Sequence, residues 1–182
     1  MEKILILHAK AEAGKDTCAQ IMKEQYEAAG KRVIVIAFAD LVRFLLTKYY
    51  GITEFKTPEG RTRIQNFATE KIRGQDMTFW ARHVAMFLYL VRDDFDIAII
   101  PDWRFENEFM YIYKTFGADI VRPILVTRTD VCSVDNMTEE QRSHVSETQL
   151  DSLQVSFYSA VIHNDGTIAE LTETVRNTLS KI

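Results

Sequence analysis

Gly14 and Lys15 stand at the end of a stretch, Ile4-Leu5-Ile6-Leu7-His8-Ala9-Lys10-Ala11-Glu12-Ala13-Gly14-Lys15-Asp16-Thr17, whose spacing follows G-x-x-x-x-G-K-[ST]. Two positions depart from that pattern. Ala9 replaces the first glycine, and Asp16 stands where Ser or Thr is usual, with Thr17 one place later. A strand, a loop of small residues and a helix opening on Gly-Lys make a cradle for a polyphosphate. Backbone N–H groups at the helix start face the anion, and the lysine adds a point charge. Ala9 matters only if the backbone there needs a positive φ, where a Cβ is disfavoured. Asp16 places a negative charge beside the phosphates, which is unfavourable unless a Mg²⁺ ion or its waters lie between them.

Further along, Asp102 follows the apolar run Ile97-Ala98-Ile99-Ile100-Pro101, with Arg104 two residues later. A carboxylate at the end of a buried strand is where a phosphate-loop protein orients metal or substrate. Lys15, Asp40, Asp102, Arg104 and Asn164 all follow predicted strands. In an open α/β sheet such residues meet at the carboxyl edge, where ligands bind. Together they supply what phosphoryl transfer needs: a cradle, cations for the spreading negative charge, and a carboxylate for metal or acceptor. No Ser-His-Asp set, thiol nucleophile or histidine-rich metal cluster competes, since His8, His83, His144 and His163 are scattered. His8 reads as a packing residue beside the loop.

The elements that position these residues follow from hydrophobic periodicity. Apolar runs at 4–7, 33–37, 97–100, 120–127 and 159–163 read as five buried strands. Helical spacing appears over 14–29, from Asp40 onward, over 61–73 and 76–91, in the segment that ends near Gly117, over 146–153, and from the Asn164-Asp165-Gly166-Thr167 turn to Leu179. Buried strands separated by helices imply a parallel sheet with right-handed crossovers, hence an α/β fold of five parallel strands flanked by helices. The helix over 61–73 carries Arg61, Arg63, Lys71 and Arg73, either a solvated face or a grip for an anion. The polar stretch from Arg128 to His144 is too long for a simple connection and reads as a lid, placed over residues 128–145. Nothing divides the chain, so 1–182 reads as one domain.

The chain has 182 residues, 47% apolar and 26% charged, with a net charge of −4 and a pI near 5.6. That length can bury a substantial core. The acidic balance argues against a domain built mainly to grip nucleic acid. Cys18 and Cys132 lack metal-ligand spacing and read as reduced packing residues. No apolar stretch is long enough for a membrane span, so a cytoplasmic protein is expected.

Six blocks occur in order: Gly14-Lys15-Asp16-Thr17, Phe38-Ala39-Asp40, Thr69-Glu70-Lys71-Ile72-Arg73, Asp102-Trp103-Arg104-Phe105-Glu106-Asn107-Glu108, His144-Val145-Ser146-Glu147 and Ile162-His163-Asn164-Asp165-Gly166-Thr167. Over nearly the whole chain they resemble the phage and bacterial deoxynucleoside monophosphate kinases of the P-loop kinase superfamily. The resemblance implies ATP with Mg²⁺ as donor and a nucleoside monophosphate as acceptor, in a cytoplasm that is the host's if the protein is phage-encoded. It implies Ala13, Gly14, Lys15, Asp16, Thr17, Arg128, Asn164 and Gly166 on ATP, with Lys15 at the β,γ-phosphates and Asn164-Gly166 near adenine. On the acceptor it implies Asp40, Arg43, Arg73, Trp80, Asp102, Arg104 and Glu106, with Arg73 and Arg104 at its phosphate. Lys15, Asp102 and Arg104 are then the catalytic set, Arg142 joins Arg128 in the lid, and Asp16, Thr17 and Asp102 face the metal, directly or through water. Leu41-Val42-Arg43 stands where the family has proline-leucine-lysine, and Trp103 is bulky enough to narrow the acceptor pocket or to pack in the core. A homodimer is left open. Other readings keep the fold but phosphorylate a hydroxymethylated base in DNA or phosphomevalonate, and a last one is a non-catalytic nucleotide-binding regulator.

Overall fold

Five apolar runs pair into one sheet because each is flanked by residues that cannot continue it and covered by helices on both faces. In the computed structural model, which describes residues 1–129 and 137–182, the strands are β1 (Lys3–Ala9), β2 (Val33–Val35), β3 (Ile97–Trp103), β4 (Val121–Thr127) and β5 (Ala160–His163). They lie in the order β2-β3-β1-β4-β5, every neighbouring pair parallel. The five-stranded parallel sheet expected from periodicity is thus the architecture. The helices are α1 (Lys15–Ala28), α2 (Phe38–Tyr50), α3 (Pro58–Gln65), α4 (Phe79–Leu90), α5 (Glu106–Phe116), the short α6 (Glu139–Ser143) and α7 (Val145–Thr148), and α8 (Ile168–Leu179).

The period-2 alternation of a strand sorts the core into two layers. Leu5, Leu7, Ile97, Ile99 and Ile124 pack against Cys18 and Met22 of α1 and Leu171 and Val175 of α8. Ile4, Ile6, Ala98 and Ile100 face the other way, onto Ala81, Val84 and Leu88 of α4 and Phe109 and Ile112 of α5. Burial pushes the Cys18 thiol up to about 11, as befits an inert packing residue. Cys132 lies outside the described residues. Among the described residues no helix is long and apolar enough to cross a membrane.

Several boundaries differ from the sequence reading, each for a local reason. β3 runs three residues past Ile100, and its register with β1 shifts between Ile6 and His8, beside Pro101, which has no N–H to give the ladder. β2 stops at Val35 because Ala37 already serves as the N-cap of α2, with extended backbone. Asp40 therefore sits at the third helical position, where its Oδ2 accepts the Ala37 N–H at 2.8 Å and completes a reciprocal cap. The basic helix expected over 61–73 is broken: α3 ends at Gln65, and a π-helical stretch, Asn66–Arg73, follows. The wider i→i+5 turn rotates the later side chains, so the four basic residues share no face. Arg63 and Lys71 are exposed, whereas Arg73 is buried. Of the lid expected over 128–145, residues 130–136 lie outside the described residues. The described part holds α6, whose Gln141 is buried and donates to the Pro58 carbonyl at 2.7 Å and Thr62 Oγ1 at 2.8 Å, docking α6 on α3.

Both tryptophans are core residues. Trp103 is buried in the α4/α5 layer, with its indole N–H donated to the Phe105 carbonyl at 2.7 Å. Of the two readings open for it, packing is the one realised. Trp80, expected on the acceptor side, is only 1% exposed. It sits with Val42 and Leu46 in a third cluster beneath α2, and its N–H goes to the Ala68 carbonyl at 3.0 Å. Trp80, which the resemblance places on the acceptor, is thus packed into this cluster in the structure. Trp80→Ala should therefore cost about 3–5 kcal/mol of stability in urea unfolding, with nucleotide affinity of the folded fraction unchanged. A variant as stable as wild type but weaker in ligand binding would return Trp80 to the site.

Candidate active site

The loop between β1 and α1 is shaped by three residues. Ala9 is the last residue of β1 and does not have a positive φ, so the missing first glycine carries no conformational cost. The left-handed conformation falls on Glu12 (φ 63°) and on Gly14 (φ 89°), which is the N-cap of α1. Gly14 is required twice over: besides its φ, a Cβ there would lie 2.2 Å from Asn164 Nδ2. Asn164 follows β5 and is buried, and its side-chain amide donates to the Ala13 carbonyl at 2.9 Å. The residue expected near adenine thus also ties the loop to the far side of the sheet. Gly166 lies two residues on, just before the Thr167 cap of α8. No side chain caps α1, which leaves its first-turn N–H groups directed into the space before the loop. Lys15 Nζ stands 3.3 Å from Asp16, whose side chain is 80% exposed, and Thr17 is exposed beside it.

Asp102 ends its strand against the start of α2. Its two oxygens accept the backbone N–H groups of Phe38 (2.8 Å) and Ala39 (3.0 Å). Burial raises its carboxyl above the ordinary range, while those two donors and the charges of Arg43 and Lys15 oppose the rise. Arg43 in turn reaches Asp40 at 3.3 Å. Lys15, Asp40, Arg43 and Asp102 therefore share one edge of the sheet, as strand-end logic requires.

The arginines are held more tightly than the sequence suggests. Arg73, expected open to an acceptor phosphate, is 7% exposed and ion-paired to Glu108, itself 1% exposed. Its guanidinium lies 3.7 Å from the Phe105 ring centroid, and Nη1 also donates to the Met77 carbonyl at 3.3 Å. The π-helical turn carries it inward, so in the structure its guanidinium is engaged by Glu108. Arg104 is only partly covered and pairs with Glu147 of α7 at 2.5 Å. Glu106 is exposed in the first turn of α5, and its backbone N–H meets Gln149 Oε1 at 3.2 Å. Burial pushes the Glu108 carboxyl up to about 7 against the pull of Arg73, with the Asp102 charge adding to the rise. Glu108 and Glu147 were not singled out from the sequence. The usable signal for Glu108 was its place three residues after Phe105, the reciprocal capping position.

A cleft of about 490 Å³ opens between the loop and the end of β4, lined among others by His8, Lys10, Arg128, Met137, Arg142 and Glu147. Arg128 and Arg142, expected in a lid, thus line the same space as the loop. Arg142 also lies 4.0 Å from Glu139. Lys10 is ion-paired with Asp151 and donates to the Glu147 carbonyl at 2.7 Å, drawing the α7 segment over the loop. His8 is buried, with Nδ1 2.5 Å from the Tyr158 hydroxyl and its ring edge-on to Trp103. Burial, with the charges of Arg104 and Lys10, lowers its pKa to about 4. It is neutral at pH 7 and serves as packing.

Among the described residues no three His, Cys, Asp or Glu side chains converge on a point that could hold a metal. Asp16 and Thr17, exposed beside the loop, suit a Mg²⁺ ion carried largely by phosphates and water, which needs only one or two protein oxygens.

No family model matches the sequence, and no curated protein matches it either. Solved structures do share its fold. A sugar kinase from Janibacter sp. HTCC2649 superposes with a TM-score of 0.58 at 14% identity, over 100% of this chain and 96% of that one. The Mycobacterium tuberculosis APS kinase in complex with AMPPNP and APS gives 0.53 at 12% identity, over 98% and 97%. A dephospho-CoA kinase from Campylobacter jejuni gives 0.53 at 14%, over 98% and 96%. At such identities the likeness shows the fold alone, a five-stranded parallel α/β sheet flanked by helices that these kinases share.

The His8 environment has a consequence for pH. Its folded pKa of about 4 lies below the ordinary 6.5. Between those values the unfolded chain takes up a proton that the folded chain refuses. Its stabilisation is therefore complete above pH 6.5 and is lost as pH falls toward 4. In urea unfolding at pH 7.5 and pH 4, His8→Gln should lose roughly 3 kcal/mol less than wild type on acidification. Identical losses in the two proteins would show that His8 titrates normally.

Proposed function

We propose that this protein transfers the γ-phosphoryl group of ATP to a (deoxy)nucleoside 5′-monophosphate, giving the diphosphate, with Mg²⁺ as cofactor. The observation that carries the reading is the uncapped start of α1 behind the Gly14-Lys15 loop, set beside Asp102 and Arg104 at one sheet edge. An uncapped helix start beside a lysine is a site for a polyphosphate, and the cations around it suit charge that spreads in the transition state.

In this reading the first-turn N–H groups of α1 and Lys15 hold the β- and γ-phosphates. Arg128 and Arg142 reach the donor from the lid side of the cleft, and the Asn164-Gly166 turn borders the adenine. Asp16 and Thr17, directly or through water, would hold Mg²⁺, with Asp102 as a further carboxylate for it, and the ion would supply charge neutralisation for the phosphoryl group. Arg104 takes the acceptor's phosphate through its planar fork. Asp40, Arg43 and Glu106 border the acceptor from α2 and α5.

The state of the acid–base groups supports an acceptor that is already an anion. His8 is held neutral with Nδ1 on Tyr158, and both Asp102 oxygens accept backbone N–H groups. A phosphate acceptor is ionised at neutral pH and needs positioning more than a base. That observation favours a monophosphate over a base hydroxyl. Among the structures of like fold, the APS kinase in complex with AMPPNP and APS supports a kinase reading in general.

The test is ADP release from ATP and Mg²⁺ with and without each nucleoside monophosphate. At least one monophosphate should stimulate release well above ATP alone. Lys15→Ala should lower that turnover by roughly 10²–10³-fold while leaving thermal melting unchanged. No stimulation by any monophosphate would remove the acceptor assignment, and near-wild-type turnover in the variant would remove the loop from catalysis.

A further inference from the structure

Glu108 sits at the meeting point of the two arginines expected around the acceptor. It occupies the third position of α5 and is almost completely buried. Its two oxygens do different work. Oε2 accepts the backbone N–H groups of Arg104 at 2.9 Å and Phe105 at 3.0 Å, closing the start of α5. Oε1 accepts from Arg73 Nη2. One carboxylate therefore fixes the backbone of one arginine and the guanidinium of the other.

We propose that Glu108 is the positioning residue of the acceptor site, holding Arg73 as a buried strut beneath Phe105 so that Arg104 is presented at the height of the acceptor's phosphate. This inference rests on the acceptor site proposed above.

The strut is built from residues on three elements. Arg73 comes from the π-helical turn, and its guanidinium stacks on Phe105, the N-cap of α5. Asn107 Oδ1, 3.5 Å away, and the Met77 carbonyl share its Nη1. Arg73 Nε is buried without a partner in the described structure. An arginine in that setting stays in place only while its counter-charge does, because a lone buried charge is strongly unfavourable. Loss of the Glu108 charge therefore expels or reorients Arg73, removes the support under Phe105, and moves Arg104, the residue just before it. A displacement of about 1 Å at a positioning group is enough to cost about 10²-fold in rate.

The geometry also provides a selective probe. Both backbone N–H groups go to the same oxygen, so Glu108→Gln can keep the α5 cap while turning its amide nitrogen toward Arg73 Nη2, donor against donor. A residue that only caps α5 would tolerate that change. A residue that holds Arg73 would not.

Wild type and Glu108→Gln are compared with ATP, Mg²⁺ and the monophosphate that the panel selects. The expected result is acceptor KM raised about tenfold to a hundredfold, with ATP Kd within twofold of wild type and thermal melting still cooperative. Glu108→Asp, which keeps the charge on a shorter stem, should recover part of the loss. A second readout does not depend on turnover: arginine modification by phenylglyoxal, mapped by mass spectrometry. Arg73 should be protected in wild type and reactive in folded Glu108→Gln. Unchanged acceptor KM together with an Arg73 still protected would overturn the proposal. If no monophosphate is turned over by wild type, the functional reading fails, and the modification experiment decides the strut by itself: exposure of Arg73 supports it, continued protection refutes it.

Discussion

The carboxylate of Asp102 accepts two backbone N–H groups from the first turn of α2, and most of the site's geometry follows from that clasp. It ties the end of β3 to the start of the helix that carries Asp40 and Arg43. β3 lies beside β1, so the same clasp sets the edge on which Lys15 stands. A helix N-terminus is a natural seat for a carboxylate, because free N–H groups and the helix dipole both favour the anion. Burial works against it and outweighs the two donors, raising the Asp102 carboxyl above its ordinary range. The Asp102 charge also raises the pKa of Glu108, so the half-buried Asp102 and the buried Glu108 are electrostatically linked.

Around that clasp the cations are matched by anions, three of them from other elements and one, Asp16, from the same helix. Arg73 has Glu108, Arg104 has Glu147, Lys10 has Asp151, and Lys15 has Asp16. The pairs differ in strength for a physical reason. Lys10–Asp151 and Lys15–Asp16 each include at least one well-exposed partner, and such pairs contribute little in water. Arg73–Glu108 is almost entirely out of solvent, and neither partner can be removed without leaving an uncompensated charge. The buried pair therefore behaves as a fixed part of the scaffold, while the exposed ones can exchange partners when an anion enters.

The loop itself is held from the opposite side of the sheet. β5 is an edge strand, yet the residue after it, Asn164, reaches the loop at Ala13 and closes against Gly14. This contact explains why a single glycine suffices. The turn takes its left-handed residues at positions 12 and 14, leaving Ala9 inside the strand with ordinary backbone. A left-handed non-glycine residue is worth about 1–2 kcal/mol of strain, and Glu12 carries it where its side chain also approaches Arg61 at 3.9 Å.

The sequence by itself determined the five strands, the loop that leads into α1 at Gly14-Lys15 and the residues gathered at the sheet edge. These rest on local signals: unbroken β-branched runs, Gly14 before Lys15, and acidic or amide residues just after strands. Strand order follows from such signals only as far as the parallel class. That β1 lies centrally, between β3 and β4, is a matter of packing between helices on both faces. The tertiary structure alone decided which side chains of each polar block face the crevice. Arg61, Arg63, Lys71 and Arg73 read as one basic helix, but a π-helical turn, invisible in hydrophobic periodicity, rotates Arg73 into the interior. Trp80 and Trp103 are equally aromatic in sequence, and only the layers beneath α2 and α5 show that both are core. The ion pairs of Glu108 and Glu147 could not be found by spacing, because their partners lie 35 and 43 residues away along the chain, and pairing over such separations is set by how the helices pack.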